Sequence, residues 1–136
     1  MKPKVLLRIA AIFILLHTIG HTMGALTWTE PPTPKVGTVI IGMQTEHFDF
    51  MGRSVTLAAF FNGYGISMIL VLLFAALQLW LLSNIFSKPM MVLMSIFLAG
   101  LAIVEFIYFF PLPAILTGVA AVCTGFSVAL HKQKSI

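Results

Sequence analysis

The chain predicts an all-helical membrane protein, an antiparallel bundle of four transmembrane helices with an extracytoplasmic segment between the first and second. Three observations lead there. Of 136 residues, 60% are hydrophobic and only 9% are charged, with a mean hydropathy of +1.05. Soluble domains carry about 25% charged residues, and so few cannot cover a water-exposed surface. Four apolar stretches, about 5–26, 57–82, 90–110 and 114–130, approach or exceed the roughly 20 residues that a helix needs to cross the hydrocarbon core. Barrel strands would be about half as long and would alternate polar with apolar positions. Finally, Lys2, Lys4, Arg8, Lys88, Lys132 and Lys134 fall on one side if all four stretches span, leaving only Lys35 and Arg53 on the other. That asymmetry places both termini in the cytoplasm. The formal charge of +4 thereby reads as topology. No basic run is interleaved with exposed aromatics, so no nucleic-acid partner is expected.

Residues 1–136 read as a single integral membrane domain. Its opening, "MKPKVLLRIAAIFILL", has the charged and apolar regions of a secretory signal, with "MGA" after it as a cleavage mimic. The apolar run continues through two histidines, however, and the charge pattern needs this segment as the first helix. "EPPTP" ends it, because prolines lack the amide donor and disfavour helix before them. Thr33 then reads as an N-cap with Pro34 at the first helical position. Val36, Val39, Ile40, Met43 and His47 follow near-helical spacing, which predicts a short amphipathic helix within an outer cap, 27–56. Gly37 and Gly42 weaken that helix; a strand over "GTVIIGM" is the alternative and would leave its edges unpaired. "TEHFDF" reads as a solvated loop, with Phe48 and Phe50 turned into the bundle or the headgroups. Ser54 is expected to cap the second helix. Trp28 and Trp80 suit opposite interfaces. "FPLP" allows only a tight antiparallel hairpin between the third and fourth helices. Cys123 is the single cysteine, so no internal disulfide can form.

Polar residues inside the apolar stretches carry the functional reading. In "LLHTIGHTMG", positions 17, 20, 21 and 24 share a helix face that reads His, Gly, His, Gly. Small residues at that spacing permit close helix approach, which turns the histidines away from lipid. At about 1.5 Å per residue, His17, His21, Asn62, Tyr64, Glu105 and Tyr108 reach a similar depth from three helices. Glu46, His47, Asp49 and Arg53 lie just above them. Glu105 is the one acid within the spans, and burying such a group costs on the order of 3 kcal/mol. These residues predict an outer-leaflet polar pocket that binds or modifies a small apolar or lipid-like molecule. His17 and His21 would act as base or hydrogen-bond donors, and Glu105 as acid or counter-charge. Arg53 would anchor a headgroup, and Asn62, Tyr64, Tyr108, His47 and Glu46 would line the site.

Other readings stay open at this stage. His17 and His21 at i, i+4 can share a metal, with His47, Glu46 or Glu105 completing the shell, and His47 is the one histidine placed to face them as an axial haem ligand. The same groups can simply bond across helices. The chain can equally be a non-catalytic subunit, or a homo-oligomer built on the Gly20/Gly24 face. No motif names a cofactor, and whether catalysis accompanies binding is undecided.

"LHTIGHTMG", "MQTEHFDFMGRS" and "FFNGYG" together resemble a family of uncharacterised small bacterial membrane proteins with four helices. That resemblance covers roughly the first half of the chain. It implies a bacterial inner-membrane location and marks His17, Gly20, His21, Glu46, Gly52, Arg53 and Gly63 as the shared pattern. In architecture alone the chain looks like DoxX-type bundles and emopamil-binding-protein-type sterol isomerases. The latter place intramembrane acids and histidines on a buried carbocation, and Glu105 with His17 and His21 are residues of those types.

Overall fold

The computed structural model describes residues 2–131. The elements are α1 (Pro3–Thr27), α2 (Pro34–Thr45), β1 (His47–Phe50), β2 (Arg53–Thr56), α3 (Leu57–Leu82), α4 (Lys88–Tyr108) and α5 (Pro111–Leu130). Among them α1, α3, α4 and α5 are long and apolar enough to cross a membrane. The chain is a multi-pass membrane protein. Lys132 and Lys134, which entered the topology argument, lie outside the described residues.

Prolines and caps set the boundaries. Proline occupies the first turn of α2, α4 and α5, where its missing donor costs no hydrogen bond. The Thr33 hydroxyl accepts from the Val36 amide at 3.3 Å, so α2 is capped as its sequence indicates. At α3 the cap is Thr56 rather than Ser54: the Ala59 amide donates to the Thr56 hydroxyl at 3.2 Å. Ser54 stands opposite Asp49 in the strand, three residues before the helix begins at Leu57, whereas Thr56 directly precedes it.

Two compact units emerge. Among the described residues one is formed by 2–18 together with 71–131; the other is Ile19–Leu70. In the first unit Leu7, Ile14, Leu72, Leu79, Met91 and Leu98 are fully buried. Their spacing of seven within α1, α3 and α4 puts each pair on one helix face. α4 and α5 run antiparallel: Glu105 is opposite Thr117, and Ser95 is opposite Ala121 and Gly125. The Ser95 hydroxyl donates to the Ala121 carbonyl at 3.4 Å, and a Cβ at Gly125 would lie 3.2 Å from that hydroxyl. Here the helices approach closely because one of them lacks a side chain.

In the second unit the segment read as a loop is a two-stranded antiparallel hairpin, with Phe48 opposite Val55 and Phe50 opposite Arg53. His47, Phe48, Asp49 and Phe50 alternate polar with aromatic, the period of a strand. Phe48 and Phe50 share one side, and both rings meet Phe60 of α3, with centroids 6.1 and 5.5 Å away. Met51 and Gly52 make the turn with φ of 52° and 80°. Two successive left-handed residues match the twist of a tight hairpin, and the Asp49 carboxylate accepts from the Gly52 amide at 2.9 Å.

Candidate functional site

α1, α4 and α5 bring three polar side chains together within the first unit. His17 comes from α1, Glu105 from near the end of α4, and Thr117 from the second turn of α5. The His17 and Glu105 side chains are 5% and 6% exposed, and Thr117 is fully buried. His17 Nδ1 lies 3.6 Å from Glu105 Oε1, which is too long for a hydrogen bond. Thr117 closes the gap: its hydroxyl is 2.9 Å from His17 Nδ1 and also bonds the Glu105 carboxyl.

Proton counting then assigns the roles. A carboxylate only accepts, and a threonine hydroxyl has one proton to give. With Glu105 ionised, Thr117 donates to Glu105 and accepts from His17 Nδ1–H. In that state the imidazole carries its proton on Nδ1; with Glu105 protonated the chain of bonds reverses, and Thr117 donates to Nδ1. Glu105 Oε2 is buried and has no hydrogen-bond partner among the described residues. One carboxyl oxygen is engaged through Thr117 or faces His17, while the other is available to a further donor. The arrangement can hold a proton between an acid and an imidazole, and it can accept a hydrogen bond from a molecule brought to Oε2.

His21, although one turn from His17 on α1, belongs to the second unit. Its Nε2–H donates to the Gly65 carbonyl at 3.2 Å, joining α1 to α3 there. Asn62 accepts from the Trp28 indole N–H at 2.7 Å, and Tyr64 stacks on Phe60 at 6.5 Å. Tyr64 and Tyr108 are both strongly exposed. Glu46 ends α2 as its C-cap, and the adjacent His47 donates through Nδ1 to the Thr45 carbonyl at 2.9 Å. Arg53 is exposed in β2 and forms no ion pair with Glu46 or Asp49 among the described residues. No three His, Cys, Asp or Glu side chains among the described residues converge as a metal would require.

The shared histidine–glycine face also resolves differently from its sequence reading. His17 and Thr18 are buried and His21 is half-buried, whereas Gly20 and Gly24 are exposed. A Cβ on either glycine would meet nothing within 4 Å. The close approach to α3 uses Gly65 instead, where a Cβ would be 3.5 Å from the Ala25 methyl. Thr117 was missed by the sequence reading because α5 looks generic. Its signal is a one-sided row of small and hydroxyl residues, Thr117, Ala120, Ala121, Thr124 and Ser127, placed by the α4–α5 turn opposite the intramembrane acid.

Comparison of the chain with protein-family models, with curated proteins and with solved structures gives no match, so its functional reading rests on the geometry of these side chains.

Proposed function

We propose that this chain is a bacterial inner-membrane protein, an antiparallel four-helix bundle with cytoplasmic termini, that binds or modifies a small apolar or lipid-like molecule at the His17–Thr117–Glu105 group. The observation that carries the reading is the buried Glu105 carboxyl with one oxygen held through Thr117 and the other unpartnered. Buried ionisable groups in membranes are costly and mark functional sites by default. A ligand with a hydroxyl or amine at one end of an apolar body would donate to Oε2. The helix surfaces around it would accept its apolar remainder. Glu105 supplies the negative charge or the acid, and His17, oriented by Thr117, supplies or receives the proton. The resemblance of the first half of the chain to the uncharacterised four-helix family fits this placement without adding a role.

A direct test is extraction and mass spectrometry of small molecules that co-purify with the unsubstituted protein and with Glu105→Gln. We expect at least one apolar species bearing a hydroxyl or amine to fall about tenfold in the variant, the loss of one charge-assisted hydrogen bond. Identical extracts from two equally folded proteins would refute a ligand role for Glu105.

The exposed Gly20/Gly24 face favours a second reading, homo-oligomerisation through α1. Small residues four apart on an open helix surface allow another helix to approach, and nothing within 4 Å occupies that space. Native mass spectrometry should show a multimer that Gly20→Leu with Gly24→Leu converts to monomer. A monomeric unsubstituted protein at all concentrations would dismiss it.

A further inference from the structure

We propose that Arg8 and Trp80 form a binding site for the phosphate headgroup of an anionic phospholipid, at the end of the first unit where α1 begins and α3 finishes. Arg8 stands inside the apolar helix α1 and not in a flanking polar segment. Its guanidinium lies 5.0 Å from the centroid of the Trp80 ring. The Nε atom is buried without a hydrogen-bond partner among the described residues. Arginine is always charged and offers only donors, so an anion with acceptor oxygens is the partner that satisfies both its charge and its buried donor. Stacking on an aromatic face holds the cation without neutralising it.

Among the described residues no carboxylate pairs with Arg8. The chain's four acidic residues are Glu30, Glu46, Asp49 and Glu105. Of these, Glu105 lies near the C-terminus of α4, whereas Trp80 is followed by the N-terminus of α4. Charges around Arg8 are uniformly positive in sequence: Lys2 and Lys4 precede it, and Lys88 opens α4. The Trp80 carbonyl is already used by the Ser83 hydroxyl at 2.7 Å and the Asn84 amide at 3.4 Å.

A phosphodiester supplies what is missing, a negative charge and paired oxygens that match the guanidinium fork. Three features favour a lipid over free phosphate as its source. Trp80 is 43% exposed, and half-exposed tryptophans sit at headgroup level. Val5 and Ile12, one turn either side of Arg8, are exposed apolar residues, as is Leu77 one turn from Trp80. They offer acyl chains a surface that an inorganic ion would not use. The inference is independent of the His17 site and needs only the membrane location.

In a Trp28→Phe chain, Trp80 is the one remaining tryptophan. That chain would be placed in phosphatidylcholine nanodiscs doped with brominated phosphatidylglycerol, or with the same fraction of brominated phosphatidylcholine. The anionic quencher is expected to act at about tenfold lower mole fraction, as one charge-assisted hydrogen bond implies. Arg8→Gln should abolish the difference. Equal quenching by both lipids with Arg8 intact overturns the proposal, and this comparison decides even if Arg8→Gln does not accumulate. Loss of the preference on adding low-millimolar inorganic phosphate, at constant ionic strength, would assign the site to free phosphate and also overturn it. Should Trp28→Phe fail to fold, native mass spectrometry of the unsubstituted protein from mixed nanodiscs reads the same preference. There, phosphatidylglycerol adducts should outnumber phosphatidylcholine adducts, and equal numbers would count against the site.

Discussion

Replacing His17 with leucine is expected to destabilise the folded protein by about 2–3 kcal/mol. The imidazole is the partner through which the Thr117 hydroxyl is held against Glu105. Its loss removes the buried hydrogen bond to Thr117, worth about 1 kcal/mol net, and takes the imidazole away from the buried Glu105 carboxyl. The stranded acid accounts for the remainder, since breaking a buried pair costs more than the pair contributes. Glu105→Leu should cost a comparable amount by leaving His17 behind. The double variant is expected to be more stable than the sum of the two singles implies. Both polar ends are then gone, and Thr117 can bond back to its own helix. Reversible unfolding in mixed detergent micelles measures the cycle. Strictly additive costs would show that the two residues do not act as a pair. The double variant also separates folding from function, because it should fold yet retain none of the species that depends on Glu105.

Gly125→Leu is the second substitution with a large expected effect, about 2–3 kcal/mol of destabilisation. Gly125→Ala should stay within about 0.5 kcal/mol. The difference follows from what lies opposite. An added Cβ would stand 3.2 Å from the Ser95 hydroxyl, the free end of a short side chain that can turn aside by a few tenths of an ångström. The alanine methyl also improves helix propensity by about 1 kcal/mol, which offsets the contact. Leucine adds three carbons past Cβ at a point where Cβ alone already meets the Ser95 hydroxyl, and it would break the Ser95–Ala121 hydrogen bond. Unfolding measured as for His17 should separate the two variants clearly. Equal stabilities would mean that α4 and α5 do not rely on close approach here.

Much of the architecture was legible before any coordinates. The four spans predicted at about 5–26, 57–82, 90–110 and 114–130 correspond to helices at 3–27, 57–82, 88–108 and 111–130. The Thr33–Pro34 start of α2 and the abrupt α4–α5 connection were likewise readable. These features depend on local chemistry: run length, missing proline amides, and a hydroxyl at a cap position. The hairpin at 47–56 carried its alternation in plain sight. Its turn signal is half absent, because Met51 is an unusual residue for a left-handed turn.

Of the candidate site, the sequence supplied His17 and Glu105 as residues that must find partners, through the cost of burying them in an apolar span. Only the tertiary structure decided that they meet through Thr117, that His21 serves Gly65 instead, and that Gly20 and Gly24 face outward. The physical reason lies in the solvent. A water-soluble helix announces its orientation by a polar outer face, whereas a helix in lipid is apolar both toward its neighbours and toward the acyl chains. Length and composition therefore state that a segment spans, but the rotation of that segment about its axis is set by packing against other helices.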